Sequence, residues 1–342
     1  MSLDSIKISL DAMGGDKGPH IVVPAAALAL QRHPHLHLVL VGHKEALDPL
    51  LKVHRLPMER VTLHHAAQSI GMDEAPIMAL RNKKQSSMRV AINLVQQKQV
   101  HACVSAGNTG ALVAISKFVL NTIAGIDRPA IISKLPTLNN HYVYMLDLGA
   151  NIDSTPQQLF QFAVMGVVLT EAVENSAAPK LGLLNIGQES IKGNIQVKQT
   201  AELLMQTKAM NYVGFVEGDD IYTGAVDVIL CDGFIGNVTL KASEGIAKLV
   251  LMRIKQEFNR NWFSKVCAVT ALPVLKRIKN RLDPAQYNGA SLLGLQGIVI
   301  KSHGNTTIAG YAQAIEEALI ETTKQVPQRI GDKVANLLKD MA

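Results

Sequence analysis

The sequence is poor in cysteine, in aromatic residues and in long apolar runs. Its three cysteines, Cys103, Cys231 and Cys267, are too few and too far apart for a disulfide framework or a zinc knuckle. No run reaches the roughly 20 apolar residues that a membrane-spanning helix needs. The N-terminus also lacks the charged and apolar regions of a signal peptide. We therefore expect a protein of the reducing cytoplasm that does not cross the membrane.

Several catalytic motifs are missing as well. The absence of G-x-x-x-x-G-K-[ST] argues against P-loop kinases and ATPases, and the absence of G-x-G-x-x-G after the first apolar run disfavours dinucleotide enzymes. There is no G-x-S-x-G elbow and no H-E-x-x-H. Ser105 comes nearest to a nucleophile, but it lacks the first glycine of the elbow. Covalent acyl-enzyme chemistry thus has no visible nucleophile, and we expect neither a metal nor a bound cofactor.

The apolar residues that are present favour parallel strands. Of the 342 residues, 48% are hydrophobic, 18% are charged and only 4% are aromatic, and the apolar share falls on Val, Ile, Leu and Ala. This composition is typical of parallel strands buried on both faces beneath Ala- and Leu-rich helices. The length suits a single α/β catalytic domain over residues 1–342, in one body or two lobes.

One supersecondary pattern recurs six times: an apolar run, a loop rich in Gly, Asn and Asp, and a helix-like segment. The predicted strands cover residues 6–10, 102–105, 142–146, 181–184, 226–230 and 298–300. Strands that alternate with helices predict a three-layer α/β/α fold with a mostly parallel sheet. We expect all six loops at the carboxyl edge, where each presents a helix N-terminus to an anion. The set predicts a phosphate site, although any single such loop is also ordinary turn chemistry.

Seven glycine-containing segments occur along the chain in a characteristic order. They are LDAMGGDKGP, SAGNTGAL, LDLGAN, NIGQESIKGN, GFVEGDDIYTG, CDGFIGNVTLK and SLLGLQGIVIKSHGNT. Together they resemble the signature of the acyl-acyl carrier protein:phosphate acyltransferase (PlsX) family, from about Ile8 to Ala318. The resemblance implies a homodimer whose fold is related to phosphate acetyltransferase and the isocitrate/isopropylmalate dehydrogenases.

The resemblance also implies a reaction. A long-chain acyl group moves from the thioester of acyl carrier protein to inorganic phosphate, and the acyl phosphate enters phospholipid synthesis. A membrane glycerol-3-phosphate acyltransferase would be the downstream partner.

This chemistry suggests roles for the loop residues. Phosphate and substrate would be held by the loops that contain Gly14, Gly15, Asp16, Gly107, Asn108, Thr109, Gly110, Gly304 and Asn305. Holding phosphate near the thioester carbonyl is mainly a positioning problem. Lys192 would bind phosphate as a point charge. His303 would polarise the carbonyl or protonate the departing thiol.

Three further polar residues complete the predicted catalytic set. Asn194 and Asn237, together with Asn305, would donate hydrogen bonds to the oxyanion of the tetrahedral intermediate. Asp232 would orient His303 or Lys192. Simpler interpretations stay open, because Asp232 could be only a helix cap and His303 a loop histidine bonded to the backbone. Asn108 could likewise be a turn residue.

Residues 243–282 break the alternation of strands and helices. Apolar residues recur every three or four positions up to Phe258, which predicts an amphipathic helix. An apolar run and a basic cluster follow. We expect an inserted amphipathic helical hairpin whose stems pack on a partner subunit and whose apolar loop touches an anionic membrane surface. The predicted membrane-contact residues are Trp262, Phe263, Leu272, Val274, Lys276 and Arg277, with Lys265, Lys279 and Arg281 adding charge. The protein would then lie peripherally at the inner face of the cell membrane.

Three different functions also fit parts of the sequence. The net charge of +6 permits nucleic acid, but only Trp262 and Phe263 accompany the basic cluster and no recognition motif is present, so we expect no nucleic-acid partner. The second is a short-chain phosphate acyltransferase that uses coenzyme A, and the third is a membrane-bound scaffold without turnover. The polar segment 81–87 is either an exposed turn or a contact for phosphate or the carrier protein.

Overall fold

The computed structural model describes residues 5–139, 141–282 and 287–340, without the side chains of residues 279–282 and 338–340. Within these ranges eleven strands form one sheet. The strands are β1 (Ile6–Asp11), β2 (Leu36–Gly42), β3 (Val61–His65), β4 (Ala102–Ser105), β5 (Ala130–Pro136), β6 (Tyr142–Leu146), β7 (Lys180–Leu184), β8 (Asn211–Val216), β9 (Val228–Leu230), β10 (Ala290–Leu293) and β11 (Ile298–Lys301). All six predicted strands are present, with ends shifted by at most two residues.

The helices follow the strands in the predicted alternation. They are α1 (Pro19–Arg32), α2 (Lys44–Val53), α3 (Pro76–Asn82), α4 (Ser87–Gln96), α5 (Thr109–Leu120), α6 (Pro156–Glu174), α7 (Ile195–Gln206), α8 (Gly233–Asn259), α9 (Trp262–Leu282), α10 (Ile308–Lys324) and α11 (Val326–Asp340). Many start where the sequence provides a cap. Thr155 and Gln158 form a reciprocal capping box at the start of α6. Asn108 caps α5 by accepting a hydrogen bond from the backbone N–H of Ala111.

The sheet consists of two parallel groups that run in opposite directions. Its strand order is β3-β2-β1-β4-β11-β10-β5-β6-β9-β7-β8. The first five strands are parallel, and so are the last four. Three antiparallel pairings, β11 with β10, β10 with β5 and β5 with β6, lie between the groups. Because an odd number of reversals separates them, the two groups end at opposite edges of the sheet.

The prediction that all six loops share one edge is therefore wrong. Edge A carries the loops that follow β1, β4 and β11, at residues 11–18, 105–110 and 301–307. Edge B carries the loops that follow β6, β7 and β9, at residues 147–155, 185–194 and 232–237. Each parallel group does hold its own loops at its carboxyl edge, as open α/β sheets do.

Helices cover both faces of the sheet. On one face, α4 and α5 pack on residues such as Cys103 and Val143. On the other face, α1 and α10 cover the first strand group, and α6, α7 and α11 cover the second. Neighbouring strand residues point to opposite faces, so that Val104 and Tyr144 join the second layer while Cys103 and Val143 join the first. The predicted three-layer α/β/α fold with a mostly parallel sheet is confirmed.

Helices α8 and α9 form a hairpin that projects from this body. They pack against each other, and among the described side chains of α8 only Gly233 and Gly236 are buried. The prediction of an apolar loop at residues 262–275 is wrong, because this segment is the first part of α9. The turn is at Arg260–Asn261, where the Asn261 side chain accepts a hydrogen bond of 2.8 Å from the backbone N–H of Ser264 and starts the helix.

The residues predicted to contact a membrane are therefore spread along α9. Trp262 and Phe263 stand beside the turn with 76% and 64% of their surface exposed, whereas Leu272 and Val274 lie farther along the helix. Lys276 and Arg277 are exposed beyond them, and the side chains of Lys279 and Arg281 are outside the described part of the structure. Within the described ranges, no helix combines the length and the apolar content that crossing a bilayer requires.

Candidate active site at edge A

A buried carboxylate organises the loops of edge A. Asp11 is the last residue of β1, and its two carboxylate oxygens accept hydrogen bonds of 2.6 Å from the hydroxyl groups of Ser87 and Ser105. Burial raises the pKa of Asp11, while the hydrogen bonds from Ser105 and Ser87 lower it. Through these hydrogen bonds Asp11 connects the ends of β1 and β4 to the start of α4 and so stabilises the base of the loops.

Glycines allow the three loops of edge A to interlock. A Cβ atom on Gly14 would lie 2.8 Å from the backbone nitrogen of Gly107, and one on Gly15 would lie 2.9 Å from the carbonyl oxygen of Gly304. Gly15 also has a φ of +86°, which L side chains rarely adopt. The backbone N–H of Asp16 donates to the Gly304 carbonyl at 3.0 Å. The predicted phosphate loops thus meet where β1 and β4 adjoin and the chain order of the strands reverses, the position at which open α/β sheets bind ligands.

The N-terminus of α5 opens at this meeting point. Asn108 caps the helix and also donates from Nδ2 to the carbonyl oxygens of Met72 at 2.7 Å and Glu74 at 3.1 Å. Thr109 and Gly110, the first helical residues, are exposed. The free N–H groups and the dipole of a helix start favour an anion. Asn108 is therefore a helix cap, and the helix it starts faces edge A.

Two lysines to which the sequence analysis gave no role, Lys301 and Lys241, add positive charge. Lys301 ends β11, and its ammonium donates to the carbonyl oxygen of Ser302 and lies 3.5 Å from that of Ala106. Burial lowers the pKa of Lys301 to about 8, against the raising effect of Asp11 and Asp16, and nearby Lys241 lowers it further. In the described part of the chain Lys301 has no ion-pair partner. The sequence signal that could have identified Lys301 was its position shortly before His303, the predicted loop histidine.

His303 stands beside these lysines with an accessible ring. Its backbone N–H donates a hydrogen bond of 3.0 Å to Asn288 Oδ1, and its Nε2 lies 3.5 Å from Glu244 Oε1 of α8. The side chain is 52% exposed. Partial burial lowers the pKa of His303, the positive charges of Lys301 and Lys241 lower it too, and Glu244 raises it. A lowered pKa favours the neutral ring, which is able to accept a proton.

The other predicted catalytic residues lie at edge B. Asp232 accepts a hydrogen bond of 2.9 Å from the Ile235 N–H and caps α8, and Asn194 caps α7 in the same way. The side chains of Lys192 and Asn237 are exposed there. Asp232 and His303 follow strands that run in opposite directions, and the structure shows no contact between them in the described part of the chain. That Asp232 orients Lys192, which lies at the same edge, stays a prediction. The contacts of Asp232 in this chain are those of a helix cap.

Edge B resembles edge A in having a buried aspartate beneath its loops. Asp147 follows β6 directly, and its buried carboxylate accepts backbone hydrogen bonds from Gly149, Ala150 and Asn151 at 2.8–3.2 Å. Burial raises the pKa of Asp147, and these bonds oppose that rise. A Cβ atom on Gly149 would lie 3.2 Å from that of Asn237, which brings the loops after β6 and β9 together. One chain therefore carries two separate loop clusters.

Comparison with known proteins identifies the family. A family model described as fatty acid synthesis protein matches residues 6–329. The chain belongs to this family. A relative from Legionella pneumophila is 54% identical over 337 residues, covering 98% of each chain, and one from Nitrosococcus oceani is 55% identical over 328 residues, covering 96% of each. Both are called phosphate acyltransferase. The sequence prediction of an acyl-transferring enzyme of this family is confirmed.

Solved structures agree on the fold. A phosphotransacetylase from Streptococcus pyogenes superimposes with a TM-score of 0.61 at 18% identity, and the EutD phosphotransacetylase from Staphylococcus aureus with 0.60 at 15%. Each comparison covers 94% of both chains. At this identity the likeness supports the architecture alone.

Proposed function

We propose that this chain transfers a long-chain acyl group from the thioester of acyl carrier protein to inorganic phosphate, yielding an acyl phosphate and the free carrier. The observation that supports this proposal most is the convergence of three glycine loops, a helix N-terminus, Lys301 and His303 at edge A. This arrangement suits a small oxyanion that must be held beside an electrophilic carbonyl. Family membership and the relatives called phosphate acyltransferase point to the same chemistry.

The proposed reaction needs no covalent enzyme intermediate. The N-terminus of α5 and Lys301 hold hydrogen phosphate, and one phosphate oxygen attacks the thioester carbonyl carbon. The carbonyl oxygen becomes an oxyanion, for which Asn305 is a nearby donor. The carbon–sulfur bond then breaks, and His303 passes the proton lost by phosphate to the departing sulfur. The products are the mixed anhydride and the carrier thiol.

The split between the two edges supports a shared site in a homodimer. Lys192, Asn194 and Asn237 follow strands that end opposite edge A, and within the described part of one chain none of them contacts His303. Contacts in a two-fold dimer are reciprocal. If edge B of one protomer contributes residues to the partner's edge A, then the partner's edge B contributes the same residues to edge A of the first protomer. The exposed apolar residues of the hairpin, among them Ile246 and Leu249, provide a surface for such pairing. The proposal places edge B of each protomer against edge A of the other.

The hairpin also supports a peripheral membrane role. Trp262 and Phe263 are exposed beside its turn, and exposed Lys265 follows them. Aromatic side chains flanked by cations suit the interface of an anionic bilayer. An acyl phosphate is apolar along its chain and chemically labile, so release at the cytoplasmic face of the membrane would pass it directly to a membrane glycerol-3-phosphate acyltransferase.

The test is a turnover assay with purified protein. Palmitoyl carrier protein and orthophosphate should give an acyl phosphate that hydroxylamine traps as the hydroxamate, and palmitoyl-coenzyme A should be the poorer donor. His303→Ala and Lys192→Ala should each lower kcat about 100-fold or more without a change in melting temperature. His35→Ala and Lys208→Ala, which alter exposed residues of the same types elsewhere, should leave kcat unchanged. Absence of the mixed anhydride in the wild type would refute the proposal, and full rates in both site variants would refute the site.

A further inference from the structure

A surface of apolar and basic side chains borders edge A. Its members lie on α3, on the turn that follows it and on α4 and α5, and both α3 and α4 pack against α5; we call them the α3–α5 surface. They are Ile77, Met78, Arg81, Lys84, Arg89 and Phe118. The three apolar members are between 51% and 64% exposed. Neither the catalytic arrangement at edge A nor the hairpin uses this surface.

The basic members of the surface carry uncompensated charge. The Arg89 guanidinium lies 5.0 Å from the centre of the Phe118 ring, which holds the cation next to the exposed aromatic face. Arg81 and Lys84 are exposed, and none of these three cations has an ion-pair partner in the described part of the chain. The nearby carboxylate of Glu74 is already engaged by the Gly71 N–H at 3.2 Å. The surface thus offers unpaired cations around an apolar centre, which suits an acidic partner with apolar contacts of its own.

The surface is joined to the active-site rim by direct contacts. A Cβ atom on Gly110, in the first turn of α5, would lie 2.7 Å from the ring of Pro76, where α3 begins. Asn108, which caps α5, donates to the carbonyl oxygens of Met72 and Glu74 just before α3. A Cβ atom on Gly304 would lie 2.6 Å from the Met72 side chain. A macromolecule seated on the α3–α5 surface would therefore stand beside the anion site.

We propose that the α3–α5 surface docks the small acidic carrier protein that presents the acyl thioester. This inference rests on the proposed function and adds the place where the donor binds. The thioester hangs from a flexible arm, so the carrier must bind next to the reacting atoms but outside them. Cations attract the acidic protein and Ile77, Met78 and Phe118 give it apolar contact. A membrane is the less suitable occupant, because the apolar residues here lie beside the anion site rather than at a projecting tip.

The experiment compares two donors of the same acyl group. In Arg81→Glu/Lys84→Glu the KM for palmitoyl carrier protein should rise about tenfold while kcat stays within about twofold, since rim charges mainly govern association. The KM for palmitoyl-pantetheine, which lacks the protein, should not change. The matched control is Lys52→Glu/Lys208→Glu, which reverses two exposed charges on other parts of the body and should leave both KM values unchanged. The rise in KM should shrink with added salt.

Each contrary outcome contradicts the docking surface in a distinguishable way. An unchanged KM for the carrier donor, or an equal rise in the control variant, would remove the surface while the wild-type rate upholds the proposed function. An equal rise for palmitoyl-pantetheine would assign the residues to the active site itself. Loss of binding to vesicles of anionic phospholipid in Arg81→Glu/Lys84→Glu would assign them to the membrane. Failure of the wild type with both donors would refute the proposed function instead.

Discussion

Lys301 shows how a residue gains a role from its surroundings. Its ammonium contacts the carbonyl oxygens of Ala106 and Ser302, and burial disfavours its charged form. A buried cation without a carboxylate partner is unfavourable by itself, and a bound anion would relieve that cost. Sequence alone gives one lysine after an apolar strand. The fold supplies the low-dielectric setting and the neighbouring helix N-terminus.

The first prediction concerns the alkaline limb of activity. The pKa of Lys301 is lowered to about 8, so the side chain is charged below that pH and neutral above it. The proposed reaction uses the charged form of Lys301 to bind phosphate, so kcat/KM should fall as pH rises through about 8. Lys301→Arg keeps its proton at every accessible pH, so it should lose this limb and retain part of the rate. Rates measured from about pH 6 to about pH 10 check this, and an identical limb in Lys301→Arg would assign the titration to another group.

The candidate residues at edge A were partly predictable, for a physical reason. Gly14, Gly15 and Gly107 stand out in the sequence because close backbone approach excludes side chains. Lys241 and Glu244 suggest no role by themselves, although Lys241 ends the segment CDGFIGNVTLK, because both lie in the interior of a long helix that begins at edge B. Only the tertiary position of α8 brings them near His303 and Lys301. Local patterns report local constraints, whereas these contacts depend on the tertiary arrangement.

At the scale of elements, the tip of the hairpin differs from its prediction. Charged residues on both sides of an apolar run suggested a loop between two stems. The spacing of three to four residues within Trp262–Leu282 instead continues a helix, with Trp262, Val266 and Val269 exposed along one stripe. The exposed aromatic pair therefore sits at the start of α9, directly after the turn.

The second prediction uses Trp262 as a reporter, because it is the single tryptophan of the chain. If the turn of the hairpin enters the membrane interface, its fluorescence should shift to the blue when vesicles of anionic phospholipid are added. Vesicles of neutral phospholipid should cause a smaller shift, because the flanking cations contribute about 1 kcal/mol each only at an anionic surface. Phe263→Ser with Val266→Ser should weaken vesicle binding, and Leu272→Glu with Val274→Glu provides the comparison farther along α9. If the protein sediments with the vesicles but the fluorescence of Trp262 does not shift, the turn does not enter the membrane interface.

The third prediction concerns α10, which covers the seam between the strand groups. Burial raises the pKa of Glu321 to about 8, the hydrogen bond from Ser291 lowers it, and Glu317 raises it. Between about pH 4.5, the ordinary value, and about 8, the folded chain holds a proton that the unfolded chain has lost. The free energy of unfolding should therefore decrease as pH rises through this window.

Replacing Glu321 with Gln tests this origin of the pH dependence. Glu321→Gln removes the titration, so the decline in unfolding free energy between about pH 5 and about pH 8 should become shallower than in the wild type. Urea unfolding at several pH values measures it, and exposed Glu202→Gln on α7 is the matched control. Equal slopes in the wild type and Glu321→Gln would show that the carboxyl group is ionised in the folded protein.

At the scale of the whole molecule, the sequence pattern predicted the layers and six of the eleven described strands, but not the opposite directions of the two strand groups. Each strand–loop–helix unit indicates a parallel neighbour within its own group. The antiparallel strands β5 and β10, at Ala130–Pro136 and Ala290–Leu293, carry no such loop and were not recognised. These two strands reverse the second group. The error in the predicted site follows directly, because the direction of a group decides the edge to which its loops belong.

The fourth prediction tests whether two protomers share each site. Chains with His303→Ala and chains with Lys192→Ala can be co-expressed with different affinity tags, and the mixed dimers isolated on both tags. If edge B of one protomer completes edge A of its partner, one of the two sites in a mixed dimer keeps both residues. Its turnover should then reach about half the wild-type value, although each parent dimer is nearly inactive. If both residues acted within a single chain, every site of the mixed dimer would lack one of them and the activity would stay at the level of the parents. A mixed dimer without recovered activity, or a chain that never co-purifies with the second tag, would therefore exclude the shared site.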